Sequence, residues 1–204
     1  MREIPGTGTS NGAALTYQLL ITTGADRPFR RALALVSSLL GPQYHQEQFW
    51  TFSQPSPPNQ TNDFDLRMEP TFAEDFEVGS FRVRSMMKSL IFPACCQYAH
   101  FHGTEDTTCP YWGQNPGPDF LAGAEVLPAQ RTDFLWARAM GYSGPQLGDS
   151  QGVEVGEEGR EVVEYSYLGG RCRHYKMVNE THGSAWKHHP VLQRIVREII
   201  LKEH

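Results

Sequence analysis

Apolar and polar positions first fall into a clear rhythm between residues 15 and 21, where Leu15, Tyr17, Leu19 and Ile21 alternate with Thr16, Gln18 and Leu20. A period of two carrying aromatic and β-branched residues predicts a strand with one face in a core, ended by Gly24. The rhythm then lengthens. Phe29, Leu33, Val36 and Leu40 are spaced as one face of a helix. Asp26 can cap that helix, Pro28 suits its first turn, and Gly41-Pro42 stops it.

Further strands are predicted at Glu47–Phe52, Phe64–Met68 and Phe81–Arg84. Leu90–Phe92 and Gln97–Phe101 read as one bent strand interrupted at Pro93. Arg131–Met140 reads as a second helix with Phe134, Leu135 and Ala139 inward. Gly152–Glu157, Arg160–Leu168 and Arg171–Val178 form an antiparallel meander, joined by hairpin turns at Glu158-Gly159 and Gly169-Gly170. Pro190 opens a last helix striped by Leu192, Ile195, Val196 and Ile199. The expected fold is α+β, a mainly antiparallel multistranded sheet curled into a closed or nearly closed barrel with three flanking helices. The chain reads as a single domain over 1–204, with a flexible N-terminus at 1–13 and long loops at 53–62 and 103–128. The second loop contains the Gly- and Pro-rich run Gly103–Gly123, long enough to be functional or mobile.

Composition narrows the partners. A net charge of −5 with scattered basic residues leaves no stripe for phosphates, so direct nucleic-acid binding is not expected. The longest apolar run, Ala32–Leu40, is too short to span a membrane. Met1–Asn11 has no apolar stretch of the secretory kind. Cys95, Cys96, Cys109 and Cys172 are therefore expected to stay reduced, in the nucleus or alternatively the cytoplasm.

Several constellations could carry chemistry. Cys95, Cys96, His100, His102 and Cys109, with Cys172 and His174, offer zinc-type ligands, although adjacent cysteines do not give ordinary ligand spacing. Cysteine catalysis would need a paired thiolate, and no motif singles one out. Ser-His-Asp hydrolysis favours a G-x-S-x-G elbow; none is expected in this chain, Gly141-Tyr142-Ser143-Gly144 coming near it but lacking the spacing. Gly6-Thr7-Gly8-Thr9 resembles a phosphate-loop fragment but precedes the first expected strand, and reads as flexible terminus. Glu154, Glu157, Glu158, Glu161 and Glu164 read as a solvated hairpin edge whose charges discourage sheet-to-sheet pairing. No catalytic, metal or cofactor-binding residue is expected. Tyr111, Trp112 and Phe120 are the protein-interface candidates, because aromatic rings in a long loop suit an interface.

The order of elements resembles a known family. A short strand (LTYQLLIT), an amphipathic helix (PFRRALALVSSLLG) and a strand (EQFWTF) are followed by a helix with a Gly-aromatic end (TDFLWARAMGY), a meander (VEYSYLGGRCRHYKM) and a closing helix (VLQRIVREII). This is similar to the family of Mediator head-module subunit 18. The resemblance implies a barrel without catalysis, Mediator subunits 20 and 8 as partners, and a scaffolding role in transcription in the nucleus. The related triphosphate-tunnel enzymes carry a Glu-x-Glu-x-Lys strand that is not found here. Two other readings stand beside it: a small-molecule-binding or lyase-type barrel with an internal pocket, and a zinc-stabilised assembly factor.

Overall fold

The computed structural model describes residues 5–22, 31–45, 48–52, 76–78, 81–85, 97–119, 123–157, 159–185 and 189–201, and its main sheet is open. Strands β1 (Pro5–Thr9), β2 (Arg31–Leu35), β7 (Gln97–Gly103) and β10 (Cys172–Met177) lie side by side and parallel. Two antiparallel strands, β9 (Val162–Tyr167) and β8 (Val153–Glu154), extend the sheet beyond β10. A second, antiparallel sheet runs β3-β4-β6-β5, made of β3 (Tyr44–His45), β4 (Gln48–Phe52), β5 (Phe76–Val78) and β6 (Phe81–Ser85). Among the described residues the α-helices are α1 (Asn11–Thr22), α2 (Ala129–Ala139) and α3 (Pro190–Val196), the last continuing as a wider turn over Arg197–Leu201. The closed, mainly antiparallel barrel is therefore corrected to an open mixed sheet. What pulled the expectation astray was the meander, which is antiparallel, while the parallel strands carry no hairpin signal of their own.

The first two elements are the reverse of their expected types. Residues 11–22 are helix, not strand, and 31–35 are strand, not helix. Ala13 and Tyr17, one helical turn apart, are both fully buried. All five residues of β2 are buried. A parallel strand covered on both faces reads as a continuous apolar run, which periodicity alone does not separate from a buried helix. Asp26, Pro28 and Phe29, the rest of the expected helix, lie outside the described residues. So do the expected strands 64–68 and 90–92, the loop 53–62, Cys95 and Cys96. The strand near 48–52, the strand at 81–85, the helix at 129–139, the meander and the C-terminal helix form where the pattern places them.

The two faces of the sheet bury different cores. On one face Ala32 and Ala34 of β2 leave room for Tyr98 of β7, Tyr17 of α1 and Trp136 of α2, with Tyr17 and Trp136 stacked 5.8 Å apart. On the other, Leu33 and Leu35 join Phe101, Tyr175 and Met177 under Val191, Leu192 and Ile195 of α3. Phe101 and Tyr175 stack at 4.3 Å. The Arg31 guanidinium donates to the Ile199 carbonyl at 2.8 Å and fastens α3 to β2. Helices thus cover both faces, the arrangement a parallel sheet requires.

The resemblance to Mediator subunit 18 rests on the order of elements, of which the first strand and helix are exchanged, and in place of the barrel it implied the structure has an open sheet.

Two glycines are needed where the chain meets itself. A Cβ on Gly8 would lie 2.1 Å from the Gly12 carbonyl carbon and oxygen, and one on Gly103 would lie 2.1 Å from the Glu180 carbonyl oxygen. Gly12 has open space around it. Gly8→Ala is therefore expected to destabilise the fold by about 2–3 kcal/mol or more, since backbone cannot step aside as a side chain can. Gly12→Ala should change stability by no more than about 1 kcal/mol, on the favourable side, because alanine is the better helix former. Chemical denaturation of the two variants checks this; equal effects would contradict the packing described.

Candidate active site

Parallel strands release their chains at the same edge, and ligand sites in such sheets lie beyond the carboxyl ends of the strands. Three of these exits carry the relevant side chains: Ser10 directly after β1, Asp106 three residues past β7, and His182 five residues past β10. Ser10 sits on a sharp strand-to-helix turn with φ 53°, a left-handed value uncommon for a residue with a side chain. Its backbone N–H donates to the Leu35 carbonyl at 2.9 Å, and its carbonyl accepts from Ala13 and Ala14 as α1 begins. The hydroxyl is left facing the loop that follows β10.

The Ser10 hydroxyl lies 2.9 Å from His182 Nε2, and His182 Nδ1 lies 2.8 Å from Asp106 Oδ2. Because a carboxylate accepts at Nδ1, the ring's proton resides there and Nε2 is open to receive the serine proton. The Asp106 side chain is fully buried, and His182 is about one-quarter exposed at 24%.

Local hydrogen bonds fix each member. Asp106 Oδ1 accepts the backbone N–H groups of Thr108 at 2.9 Å and Cys109 at 2.8 Å, an Asx-type turn that aims Oδ2 at His182. Burial pulls the Asp106 carboxyl upward, but hydrogen bonds from His102, the Cys109 N–H and His182 outweigh it and hold the group below the usual carboxylate range. The His182 turn is clamped on both sides. Thr181 N–H donates to Ser184 Oγ at 2.8 Å, Ser184 N–H donates to Thr181 Oγ1 at 3.3 Å, and the neighbouring Ala185 is fully buried. The loops after β7 and β10 are tied by Thr104 N–H to Met177 O and Glu105 N–H to Glu180 O, both 2.9 Å. Gly103 permits that approach.

A second buried cluster lies deeper. His100 and His174 are paired neighbours on β7 and β10, and both reach Asp133 Oδ2 of α2 through Nδ1, at 2.5 and 3.0 Å. His174 Nε2 accepts from the Tyr111 hydroxyl at 2.9 Å. These three residues could in principle hold a metal ion. Ligands about 2.0–2.2 Å from a tetrahedral zinc stand roughly 3.3 Å or more apart, so the side chains here stand closer together than the ligands of one zinc ion do. Burial pushes the imidazoles down, His100 to about 3 and His174 to about 4, and pushes the Asp133 carboxyl up to about 6.

The residues that offered zinc-type donors are divided among different tasks where they are described. His100 and His174 share Asp133, and His102 turns to Asp106. The Cys172 thiol faces the Asp133 carbonyl at 3.6 Å. Burial pushes the thiols of Cys172 and Cys109 up, Cys109 to about 11, which leaves both as unreactive thiols. Among the interface candidates, Tyr111 is buried at 1% exposure and belongs to the core, whereas Trp112 is exposed, with Lys176 Nζ 5.3 Å from its ring centroid. Phe120 lies outside the described residues. Of the acidic residues, Glu154 closes its own hairpin, Oε1 accepting the N–H groups of Gly156 and Val162.

Ser10, Asp106 and His182 were not singled out from the sequence. A signal for Ser10 was present: Gly8-Thr9-Ser10-Asn11-Gly12 is a complete G-x-S-x-G pentapeptide. The expectation of no elbow is corrected here: residues 1–13 read as flexible terminus and those from Leu15 as a strand, which hides the pentapeptide's setting. Once residues 5–9 are a strand and 11–22 a helix, the pentapeptide stands in the strand-turn-helix setting it requires. Asp106 and His182 lie in loops with no motif, and only the fold gathers them.

The deep cluster fixes a pH response. Depressed histidines take up their protons on unfolding, which weakens the fold as pH drops from about 6.5 toward 4; the raised Asp133 opposes this with one proton. Between about pH 6 and 4 the two depressed histidines outweigh the one raised carboxyl, so this cluster makes the fold less stable on acidification. In an NMR titration the ring nitrogens of His100 and His174 should keep the shifts of neutral imidazole from pH 7 to 5, apart from the small perturbation as Asp133 protonates near 6; conversion to imidazolium near 6.5 would contradict their burial.

The chain matches no family model, and comparison with curated proteins and with solved structures gives no match.

Proposed function

We propose that the chain is a serine hydrolase acting on carboxylic acyl compounds through Ser10, His182 and Asp106. The observation that carries this reading is the continuous chain Ser10 Oγ–His182 Nε2 and His182 Nδ1–Asp106 Oδ2, at 2.9 and 2.8 Å, starting from a serine on a positive-φ turn. The order Ser, Asp, His along the sequence, with each residue beyond the end of a parallel strand, is that of α/β-hydrolase enzymes with a G-x-S-x-G elbow. That likeness is one of fold and geometry, and the residues carry the argument.

Each residue has a distinct task. His182 Nε2 takes the proton as Ser10 Oγ attacks the acyl carbon, and Asp106 stabilises the imidazolium that results. The Asn11 N–H, in the first turn of α1, has no partner within the helix and lies directly after the nucleophile, so it can receive the developing oxyanion. The proton on His182 then passes to the leaving oxygen as the C–O bond breaks, leaving an acyl group on Ser10. Water, deprotonated by the same imidazole, attacks the acyl-enzyme; the carboxylic acid leaves and Ser10 recovers its proton. The left-handed turn keeps the Ser10 side chain clear of the strand and the helix, which is the purpose strain serves at such a position.

Hydrolysis of p-nitrophenyl acetate by the purified chain tests the reading. Ser10→Ala should lower kcat by about a million-fold with a thermal midpoint close to that of the parent, and Asp106→Asn, which also turns an amide NH2 toward the donors on the buried carboxylate, should lower kcat by about ten-thousand-fold per folded molecule. Undiminished hydrolysis by Ser10→Ala would show that another group does the chemistry.

A further inference from the structure

We propose that His102 is a positioning residue of this site, its Nε2–H holding the Asp106 carboxylate from the side away from Ser10. The inference rests on the hydrolase reading and adds a residue to it. His102 is fully buried on β7, two residues beyond His100 on the same face. Its Nε2 lies 2.7 Å from the Cys109 carbonyl oxygen and 3.2 Å from Asp106 Oδ2. Both neighbours only accept, so the proton sits on Nε2 and is shared between them as a three-centre bond. Nδ1 has no hydrogen-bond partner. A proton there would be a buried donor with nothing to receive it, and burial accordingly pushes the imidazole below its ordinary range.

Asp106 therefore has donors on both oxygens: the Thr108 and Cys109 N–H groups at Oδ1, and two imidazoles at Oδ2. A carboxylate with no exposure to water needs such donors to remain ionised, and only an ionised Asp106 can stabilise the His182 imidazolium. His102 also joins Asp106 to the Cys109 carbonyl, which keeps the turn 106–109 closed on the carboxylate. The groups that face this unit are His182 from the loop after β10, His100 from β7 with its ring 5.3 Å away, and Tyr111 and Cys109 from the loop after β7. None of these is a second carboxylate; Asp133 bonds to the far neighbours His100 and His174.

The test compares His102→Leu, which removes the donor, with His102→Gln, whose side-chain amide can still donate. Removing the donor lets the Asp106 carboxyl protonate more readily, and while ionised it draws the His182 proton more strongly. Both effects move the acid limb of kcat/KM to higher pH. With p-nitrophenyl acetate, His102→Leu should lose about 10- to 100-fold in kcat with KM within about twofold, and His102→Gln should recover most of that loss. Rates are referred to folded protein measured by circular dichroism. If His102→Leu is too unstable to compare, His102→Asn, whose amide is too short to reach Oδ2, takes its place with the same expectation. An active parent whose variants keep its kcat and its acid limb, or lose activity only in proportion to unfolding, overturns this inference alone. A parent that hydrolyses nothing and leaves Ser10 unlabelled by a fluorophosphonate overturns the hydrolase reading and this inference with it.

Discussion

Parallel alignment of four strands is the constraint on which the rest of the structure depends. Each parallel neighbour requires a crossover, so its chain must leave the sheet at one edge and return from the other. For β1, β7 and β10 this places three unrelated loops at one end of the molecule, and each brings one polar side chain. The sequence separations of 76 between Asp106 and His182 and 172 between Ser10 and His182 then close to 2.8 and 2.9 Å. The small residues follow from the same geometry. Gly8 allows strand and helix to meet around Ser10, Gly103 allows the Asp106 and His182 loops to touch, and Ala32 and Ala34 make space for the aromatic and imidazole rings beneath.

The face beneath the site carries two carboxylates, each within 3.2 Å of two imidazole nitrogens, and their surroundings separate them. Asp106 receives two backbone N–H groups besides its imidazoles and is held below the normal carboxylate range. Asp133 has one oxygen without a partner, and burial raises it to about 6. Only the first lies at the strand exits, where one of its histidines reaches a hydroxyl. The second is enclosed between α2 and the sheet and ties helix, sheet and Tyr111 together. Buried ionisable groups cost several kcal/mol when unpaired, so either cluster must form completely or weaken the fold. β7 supplies a histidine to each through alternate residues, His100 and His102, which couples the candidate site to the core by a single strand.

Legibility in the sequence follows periodicity. The meander, α2 and α3 were read because one face of each is wet, or because glycine turns mark their ends. The pair α1 and β2 was read in reverse. Leu15 to Ile21 alternates as well as it repeats, and the fully buried RALAL segment has no polar face to reveal its period. That reversal concealed the candidate site, since G-x-S-x-G has meaning only between a strand and a helix. Asp106 and His182 were illegible for a different reason: nothing local in GTEDTT or NETHGS sets them apart, and their roles are conferred by strand order.

The central claim is that Ser10 is an activated nucleophile, and the most direct measurement is the site of covalent labelling. The folded chain is treated with a fluorophosphonate, digested, and mapped by mass spectrometry, with a heat-unfolded sample alongside. The account predicts one adduct, on the peptide that contains Ser10, formed only by the folded chain. No adduct, labelling of the unfolded sample to the same extent, or an adduct on another serine such as Ser143 would contradict it.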